Sequence, residues 1–103
     1  MTLQELQRQL ATLRTKLANA GVDEAQQLDL EITEKKIQMQ IIVGTFDALK
    51  TLDGLGGVDL SKITQLIPQV DQVIQDEIAR TKLVAQVVSI AKTALRAAGL
   101  PIS

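Results

Sequence analysis

The stretch that decides the fold is TLQELQRQLATLRTKLANAG, residues 2–21, in which leucines recur at alternating spacings of three and four. These leucines are Leu3, Leu6, Leu10, Leu13 and Leu17. Because an α-helix turns once every 3.6 residues or so, this spacing places all of them on one narrow face, as in a coiled coil. A first helix is therefore predicted over residues 2–19, with one apolar stripe packed against other helices and its remaining faces in solvent.

Both ends of this first helix carry recognisable boundary signals. Thr2 and Glu5 match the capping-box pattern, in which the threonine side chain accepts a hydrogen bond from the backbone N–H three residues later. Gly21 suits the left-handed conformation that the chain commonly adopts just after a helix. The helix is thus bounded on both sides by its own sequence.

A second, longer helix is predicted over residues 23–52. Asp23 is a residue type that caps helix N-termini, and the apolar residues that follow form a heptad stripe of Leu28, Ile32, Met39, Ile42, Phe46 and Leu49. Lys35 stands where that stripe requires an apolar residue. Between Ile37 and Phe46 the apolar side chains point nearly all round the helix, a pattern typical of a helix that is buried on every side.

A third helix is predicted over residues 59–98. The sequence DGLGG at residues 53–57 is a turn, Asp59 is the next N-cap, and Gly99 and Pro101 close the segment. Pro68 lies inside it, and proline lacks a backbone N–H and disfavours helix at the residue before it. A kink or a short extra helix is therefore expected around Pro68, and a break there would leave helices 60–66 and 69–98.

These segments predict an all-α fold, an antiparallel bundle of about three helices in one domain of residues 1–103. The two long helices would form a hairpin against which the shorter N-terminal helix packs. The three helices carry more apolar surface than one such bundle easily buries. We therefore expect homodimerisation to complete the bundle. The predicted interface residues are Leu3, Leu6, Leu10, Leu13, Leu17, Ile37, Ile41, Val43, Phe46, Leu83, Val87, Ile90 and Ala94.

The net charge of −1 hides an uneven distribution along the chain. Residues 1–22 carry +2, residues 23–79 carry −7 and residues 80–103 carry +4. Four basic residues spread over the last segment are too sparse for a polybasic patch, so pairing between basic and acidic helices is the favoured interpretation. One hypothesis places Asp76, Glu77 and Arg80 level with residues 34–36 (Glu, Lys, Lys), as a charged layer that fixes the register of the bundle.

The missing residue types exclude most catalytic chemistry. The chain contains no His and no Cys, and so lacks the usual general base, the imidazole metal ligand and the thiolate nucleophile. The segment from Ser89 to Lys92 matches the S-x-x-K pattern of serine acyl-enzymes, but the companion motifs are absent, which favours a solvated polar face. We therefore predict that the protein is not an enzyme.

No cofactor or metal site is predicted. The acidic residues Asp23, Glu24, Glu31 and Glu34 have neither the histidines of di-iron bundles nor EF-hand spacing. The glycines of residues 54–57 are not followed by the Lys-Ser/Thr of a phosphate loop. Nucleic-acid binding is not expected either, because the chain lacks an arginine cluster and aromatic platforms and is acidic in its middle.

The predicted function is that of a non-enzymatic helical-bundle protein acting through self-association and protein–protein interaction, as a scaffold or adaptor. Its predicted partners are itself, as a dimer, and another protein. The alternative is a lipid- or membrane-surface protein that lays the amphipathic stretch 83–98 on an interface, with Lys92 and Arg96 toward the headgroups. No signal peptide or transmembrane run is apparent, so a cytoplasmic location without membrane contact is expected.

Overall fold

The computed structural model describes residues 1–44, 52, 57 and 59–99, and these residues form four α-helices. They are α1 (Leu3–Ala20), α2 (Glu24–Val43), α3 (Ser61–Val73) and α4 (Glu77–Ala97). The described residues contain no strand, so the prediction of an all-α fold is confirmed. The predicted number of helices, about three, is wrong, because the third predicted segment divides into α3 and α4.

Helix α1 lies at the centre of the packing and contacts both α2 and α3. Its stripe of leucines is buried, with no member more than 1% exposed. Thr2 caps the helix as predicted, since its side chain accepts a hydrogen bond of 3.2 Å from the backbone N–H of Glu5. Burying a leucine stabilises a fold by roughly 1.5–3 kcal/mol, so this one stripe is a large part of the driving force for folding.

The turn between α1 and α2 is tight and well hydrogen-bonded. Gly21 adopts φ 68°, and its backbone N–H donates to the carbonyl of Ala18, while the N–H of Val22 donates to the carbonyl of Leu17. This pair of bonds is the Schellman motif, which satisfies carbonyls that the helix end leaves unpaired. Because only residues 21–23 separate the two helices, α1 and α2 pack as an antiparallel hairpin.

Helix α2 ends earlier than its periodicity predicts. Gly44 has φ 75° and donates its N–H to the carbonyls of Gln40 and Ile41, which terminates the helix at Val43 rather than near residue 52. Leu52 is not helical; it is buried, and its N–H donates to the carbonyl of Met1 at 2.7 Å. The predicted second helix was too long because glycine ends a helix at low cost where its apolar pattern would otherwise continue.

Pro68 does not divide the third predicted segment, contrary to one of the two expected outcomes. It lies inside α3 on the exposed face, as does Thr64, whose carbonyl would have accepted the N–H that proline lacks. The interruption falls instead at residues 74–76. There Asp76 takes an extended conformation and accepts the backbone N–H of Ala79 at 3.1 Å, capping α4.

Replacing Pro68 with alanine is expected to stabilise the protein by about 1–2 kcal/mol. The substitution restores a helix hydrogen bond in the interior of α3 and relieves the contact of the ring with the preceding turn. Thermal unfolding followed by circular dichroism measures the change. Gln69→Ala, at an exposed neighbouring position of the same helix, is the control and should leave the midpoint nearly unchanged. A lower midpoint for Pro68→Ala would show that the ring makes a packing contact that α3 needs.

The bundle consists of two hairpins, α1–α2 and α3–α4, joined chiefly where α1 packs against α3. The predicted hairpin of a long second and a long third helix is therefore wrong. The hydrophobic core contains the leucine stripe of α1 and the buried residues of the other three helices. Those faces comprise Leu30 and Ile37 of α2, Ile63, Ile67 and Val70 of α3, and Leu83, Val84, Val87, Ala91, Ala94 and Leu95 of α4.

Candidate functional site

The most unusual surface in the described part of the chain is the outer face of α2. Large apolar side chains that remain exposed are Leu28, Ile32, Met39, Ile42 and Val43 on α2 and Ile78 on α4, with exposed fractions between 43% and 73%. Soluble proteins tolerate single exposed apolar residues, whereas a cluster on one element is a candidate interaction surface. Helix α2 carries such a cluster.

The exposed residues of α2 follow a coiled-coil spacing. Leu28, Ile32, Lys35, Met39 and Ile42 are separated by four, three, four and three residues; we call them the α2 outer stripe. The inner face of the same helix is a different set, in which Leu30, Thr33, Glu34 and Ile37 are buried against the bundle. Helix α2 has apolar residues on two opposite faces, and the bundle packs against only one of them. The outer stripe is therefore left in solvent.

Lys35 is the one charged member of the α2 outer stripe. Its amine lies 3.3 Å from a carboxylate oxygen of Glu31, one turn earlier on the same helix, and both side chains are exposed or partly exposed. Around it, a shallow depression of about 270 Å³ is lined by Ile32, Lys35, Lys36, Met39 and Gln40. The stripe thus has apolar ends and a cationic centre.

A partly buried ion pair joins the inner face of α2 to α1. Arg14 donates from Nε and Nη2 to the two carboxylate oxygens of Glu34, at 2.6 and 3.2 Å. The hydrogen bond to Glu34 raises the pKa of Arg14 above its ordinary value, and burial opposes this only in part. The paired geometry of this fork fixes how α1 and α2 lie against each other.

A second buried ion pair joins the two hairpins. Arg80 of α4 donates from Nε and Nη2 to the carboxylate of Asp23 at 2.7 and 3.1 Å, and from Nη1 to the carbonyl of Ile74 at 2.6 Å. The hydrogen bond to Asp23 raises the pKa of Arg80. We call this group the Arg80 clamp, because it ties the turn that precedes α2 to the turn that precedes α4.

The Arg80 clamp also explains an unusual backbone conformation. Asp23 precedes α2 with φ 57° and makes no side-chain hydrogen bond to the start of that helix, so the predicted capping bond is not formed. Its carboxylate is turned toward Arg80 instead. Aspartate is among the few residues other than glycine that adopt this conformation at modest cost, and the ion pair offsets that cost.

The predicted charged layer is therefore wrong in its pairing. Arg80 pairs with Asp23, and Glu34 pairs with Arg14, so the predicted pairing of Arg80 with Glu34 is not formed. Lys35 pairs within its own helix. The sequence indicated that these residues form ion pairs, but the partners depend on which helices are neighbours, and the predicted hairpin was the wrong one.

Two further ion pairs lie nearer the surface. Lys16 of α1 contacts Asp71 of α3 at 2.8 Å, and Lys92 of α4 contacts Asp29 of α2 at 3.3 Å. Exposed pairs of this kind typically contribute less than about 1 kcal/mol each, so they orient helices more than they stabilise them. The lysine of the S-x-x-K pattern is thus engaged in a contact between helices.

Most of the predicted interface residues lie inside a single copy of the chain. The buried ones are Leu3, Leu6, Leu10, Leu13, Leu17, Ile37, Leu83, Val87 and Ala94. Ile41 and Ile90 are half-buried against the same core, Val43 is exposed, and Phe46 lies outside the described residues. A leucine stripe looks the same in sequence whether its partner helix belongs to the same chain or to another, and here α2 and α3 of the same chain cover it.

Within the single chain, the described part of Ile37–Phe46 is not buried on all sides, and burial of the rest by a second copy stays a prediction. Ile37 is buried, but Met39, Ile42 and Val43 are exposed. The exposed apolar residues at heptad spacing are Leu28, Ile32, Met39 and Ile42, and none of them is among the predicted interface residues. The heptad spacing of these residues could be recognised in the sequence. It did not show that this face of α2 would remain exposed.

The C-terminal helix does not present a free apolar face to a lipid surface. Leu83, Val84, Val87, Ala91 and Leu95 of α4 are buried in the core. Lys92 lies against Asp29 rather than standing free toward headgroups. The amphipathic pattern of this helix is explained by packing within the bundle.

Within residues 1–44 and 59–99, no helix combines the length and the apolar run needed to cross a bilayer. The described side chains also contain no group of three or more acidic residues placed to hold a metal ion. Comparison of the chain with protein-family models, with curated proteins and with solved structures found no match.

Proposed function

We propose that this protein is a non-enzymatic helical bundle that acts through self-association and protein–protein interaction, as a scaffold or adaptor, and that the α2 outer stripe is its contact surface. The observation that carries the proposal is the run of exposed apolar residues at coiled-coil spacing on a helix whose other face is already buried. Keeping such a stripe in water is unfavourable, and covering it with a matching helix is how this spacing is normally used.

The size of the stripe sets the strength of the proposed contact. Helix α2 has 20 residues and so spans on the order of 30 Å. A single pair of helices in contact over that length buries less surface than the standard protein–protein interface. The expected association is therefore weak and reversible, with dissociation in the micromolar range.

The charges beside the stripe favour a protein partner over a membrane. Glu24, Asp29 and Glu31 flank its N-terminal half, and anionic lipid headgroups would be repelled there. The stripe also lacks the aromatic anchors that interfacial helices use. Flotation with anionic liposomes should accordingly recover no protein with the lipid, and recovery that disappears in high salt would support the membrane alternative.

Replacing both Ile32 and Ile42 with glutamine is expected to abolish self-association while leaving the fold intact. Both side chains are exposed, so the substitution removes apolar contact area between copies without opening a cavity in the core. Light scattering after gel filtration, over a range of tens to hundreds of micromolar, measures the mass. The wild-type mass should rise with concentration, and the mass of the double variant should stay at that of one chain.

The matched control is Ile78→Gln, which changes the same residue type at an exposed position on α4. It should associate like the wild type. Circular dichroism of all three proteins should give the same helix content and similar thermal midpoints. A wild-type mass that stays at one chain up to several hundred micromolar would remove self-association from the proposal.

A further inference from the structure

We infer that the occupant of the α2 outer stripe is a second copy of this chain, packed antiparallel against it, and that Lys35 selects this orientation. The inference rests on the proposed function, in which the protein self-associates, and adds the direction and the register of the two copies. It follows from the position of a single charge in the stripe, from the length of α2 and from the charges on its flanks.

The length of α2 fixes the register. Because the helix runs from Glu24 to Val43, two antiparallel copies overlap over their whole length only when residue 24 of one lies opposite residue 43 of the other. In that register Leu28 meets Met39 of the second copy, and Ile32 meets Lys35 of the second copy. This is the alternation of facing heptad positions that antiparallel coiled coils require.

Lys35 distinguishes the antiparallel from the parallel arrangement. In a parallel pair each heptad position meets itself, so the two Lys35 ammonium groups would face each other in an otherwise apolar seam, where like charges repel strongly. In the antiparallel pair Lys35 lies on Ile32 instead. Its aliphatic stem can then cover the isoleucine while its ammonium group stays at the edge beside Glu31, with which it already pairs.

The flanking charges point to the same orientation. Asp29 and Lys36 lie on one flank of the stripe, seven residues apart. In the antiparallel register each Asp29 approaches Lys36 of the other copy, which gives two attractive contacts by symmetry. A parallel pair would instead bring Glu24 beside Asp29 of the other copy, a repulsive contact, and Glu31 beside Lys36 of the other copy, an attractive one, so that its flanking charges largely cancel. Charge complementarity therefore favours the antiparallel pair at the flank as well as in the seam.

Cysteine cross-linking tests the orientation directly, because the chain has no native cysteine. Two single variants, Leu28→Cys and Met39→Cys, are treated with a short bis-maleimide, each alone and as an equimolar mixture. The antiparallel pair predicts a cross-linked dimer in the mixture and little in either variant alone. Positions 28 and 39 lie eleven residues apart, about 16 Å along the helix, which exceeds the reach of the reagent.

Each outcome of this experiment separates the inference from the proposed function. Cross-links in each variant alone but not in the mixture would show a parallel dimer, overturning the inference and leaving self-association in place. A cross-linking yield no higher than that of Gln65→Cys, an exposed position on α3, together with a mass of one chain by light scattering, would refute both.

Lys35→Met tests the role of the charge. Without the ammonium group the seam becomes apolar throughout, so the dimer should tighten by about tenfold, and its preference for the antiparallel orientation should weaken to what the flanking charges supply. In the Lys35→Met background, Leu28→Cys alone should then give more cross-linked dimer than it does with Lys35 present. Lys82→Met, an equal change at an exposed position on α4, is the control and should alter neither property. An unchanged affinity and cross-linking pattern in Lys35→Met would overturn the proposed role of Lys35.

Discussion

Leu10→Ala is expected to lower the free energy of unfolding by about 3 kcal/mol and the thermal midpoint by about 15 °C. Leu10 is only 1% exposed, near the middle of the helix that packs against both α2 and α3. Truncation there removes apolar contacts and leaves a cavity that neighbouring helices, fixed by their own contacts with α1, can fill only in part. The loss should therefore lie well above that of an ordinary surface substitution.

Leu28→Ala is the matched control, since it makes the same truncation where the leucine is 56% exposed. At a concentration that keeps the chain monomeric it should change the unfolding free energy by no more than about 0.5–1 kcal/mol. Urea titration followed by circular dichroism measures both variants, with equal slopes expected if each unfolds in one step. An equal loss for the two variants would mean that the outer face of α2 is covered within the single chain.

Arg80→Met is expected to lower the thermal midpoint by roughly 10 °C or more. The substitution keeps most of the aliphatic volume but leaves the carboxylate of Asp23, which is only 13% exposed, without its cation. It also removes the donor to the carbonyl of Ile74. Losing one member of a buried pair is costly mainly because the other charge stays behind in a poorly solvated position.

A double-mutant cycle with Asp23→Asn isolates the contribution of the Arg80 clamp. The double variant should be more stable than the sum of the two single losses predicts, since it leaves no unpaired buried charge. Lys16→Met, at the exposed pair with Asp71, is the control and should shift the midpoint by only a few degrees. If Arg80→Met shifts it no further than Lys16→Met, the clamp is not a structural element of the fold.

The pH dependence of the clamp follows from the direction of the shift. The pKa of Arg80 is raised in the folded chain, so the stabilisation is present in full below the ordinary arginine pKa and is lost only as the pH rises through the raised value. The contribution of the arginine is therefore constant across the neutral range. Because Arg80 stays charged throughout this range, the decrease in thermal midpoint caused by Arg80→Met should be the same at pH 6 as at pH 8.

Local signals in the sequence predicted the start and end of α1 well. The capping bond of Thr2 and the left-handed Gly21 are both present, because each depends only on residues within one turn of itself. The burial of the α1 leucines on one face was equally predictable from their spacing. Asp76 is a residue type that caps helix N-termini, and it does cap α4. The interruption was predicted at Pro68 instead, because proline is the stronger helix breaker.

The candidate site was predictable only in part. The heptad stripe of α2 could be read from the sequence, yet the predicted interface instead took in the leucines of α1 and the apolar arc of α4, which the chain buries itself. The spacing of apolar residues shows that a helix has an apolar face. It does not show which other helix packs against that face. That choice depends on long-range contacts among all four helices at once.

By itself, the sequence determined that the chain is helical, where α1 begins and ends, and that it contains no histidine and no cysteine. Those properties follow from helix periodicity, from capping over a few residues and from composition. Only the tertiary structure decided that Asp23 pairs with Arg80, that α1 pairs with α2 and α3, and that the outer stripe of α2 is left uncovered. The physical reason is that burial and ion pairing are properties of neighbours distant in sequence, and several arrangements of the same amphipathic helices satisfy the local rules equally well.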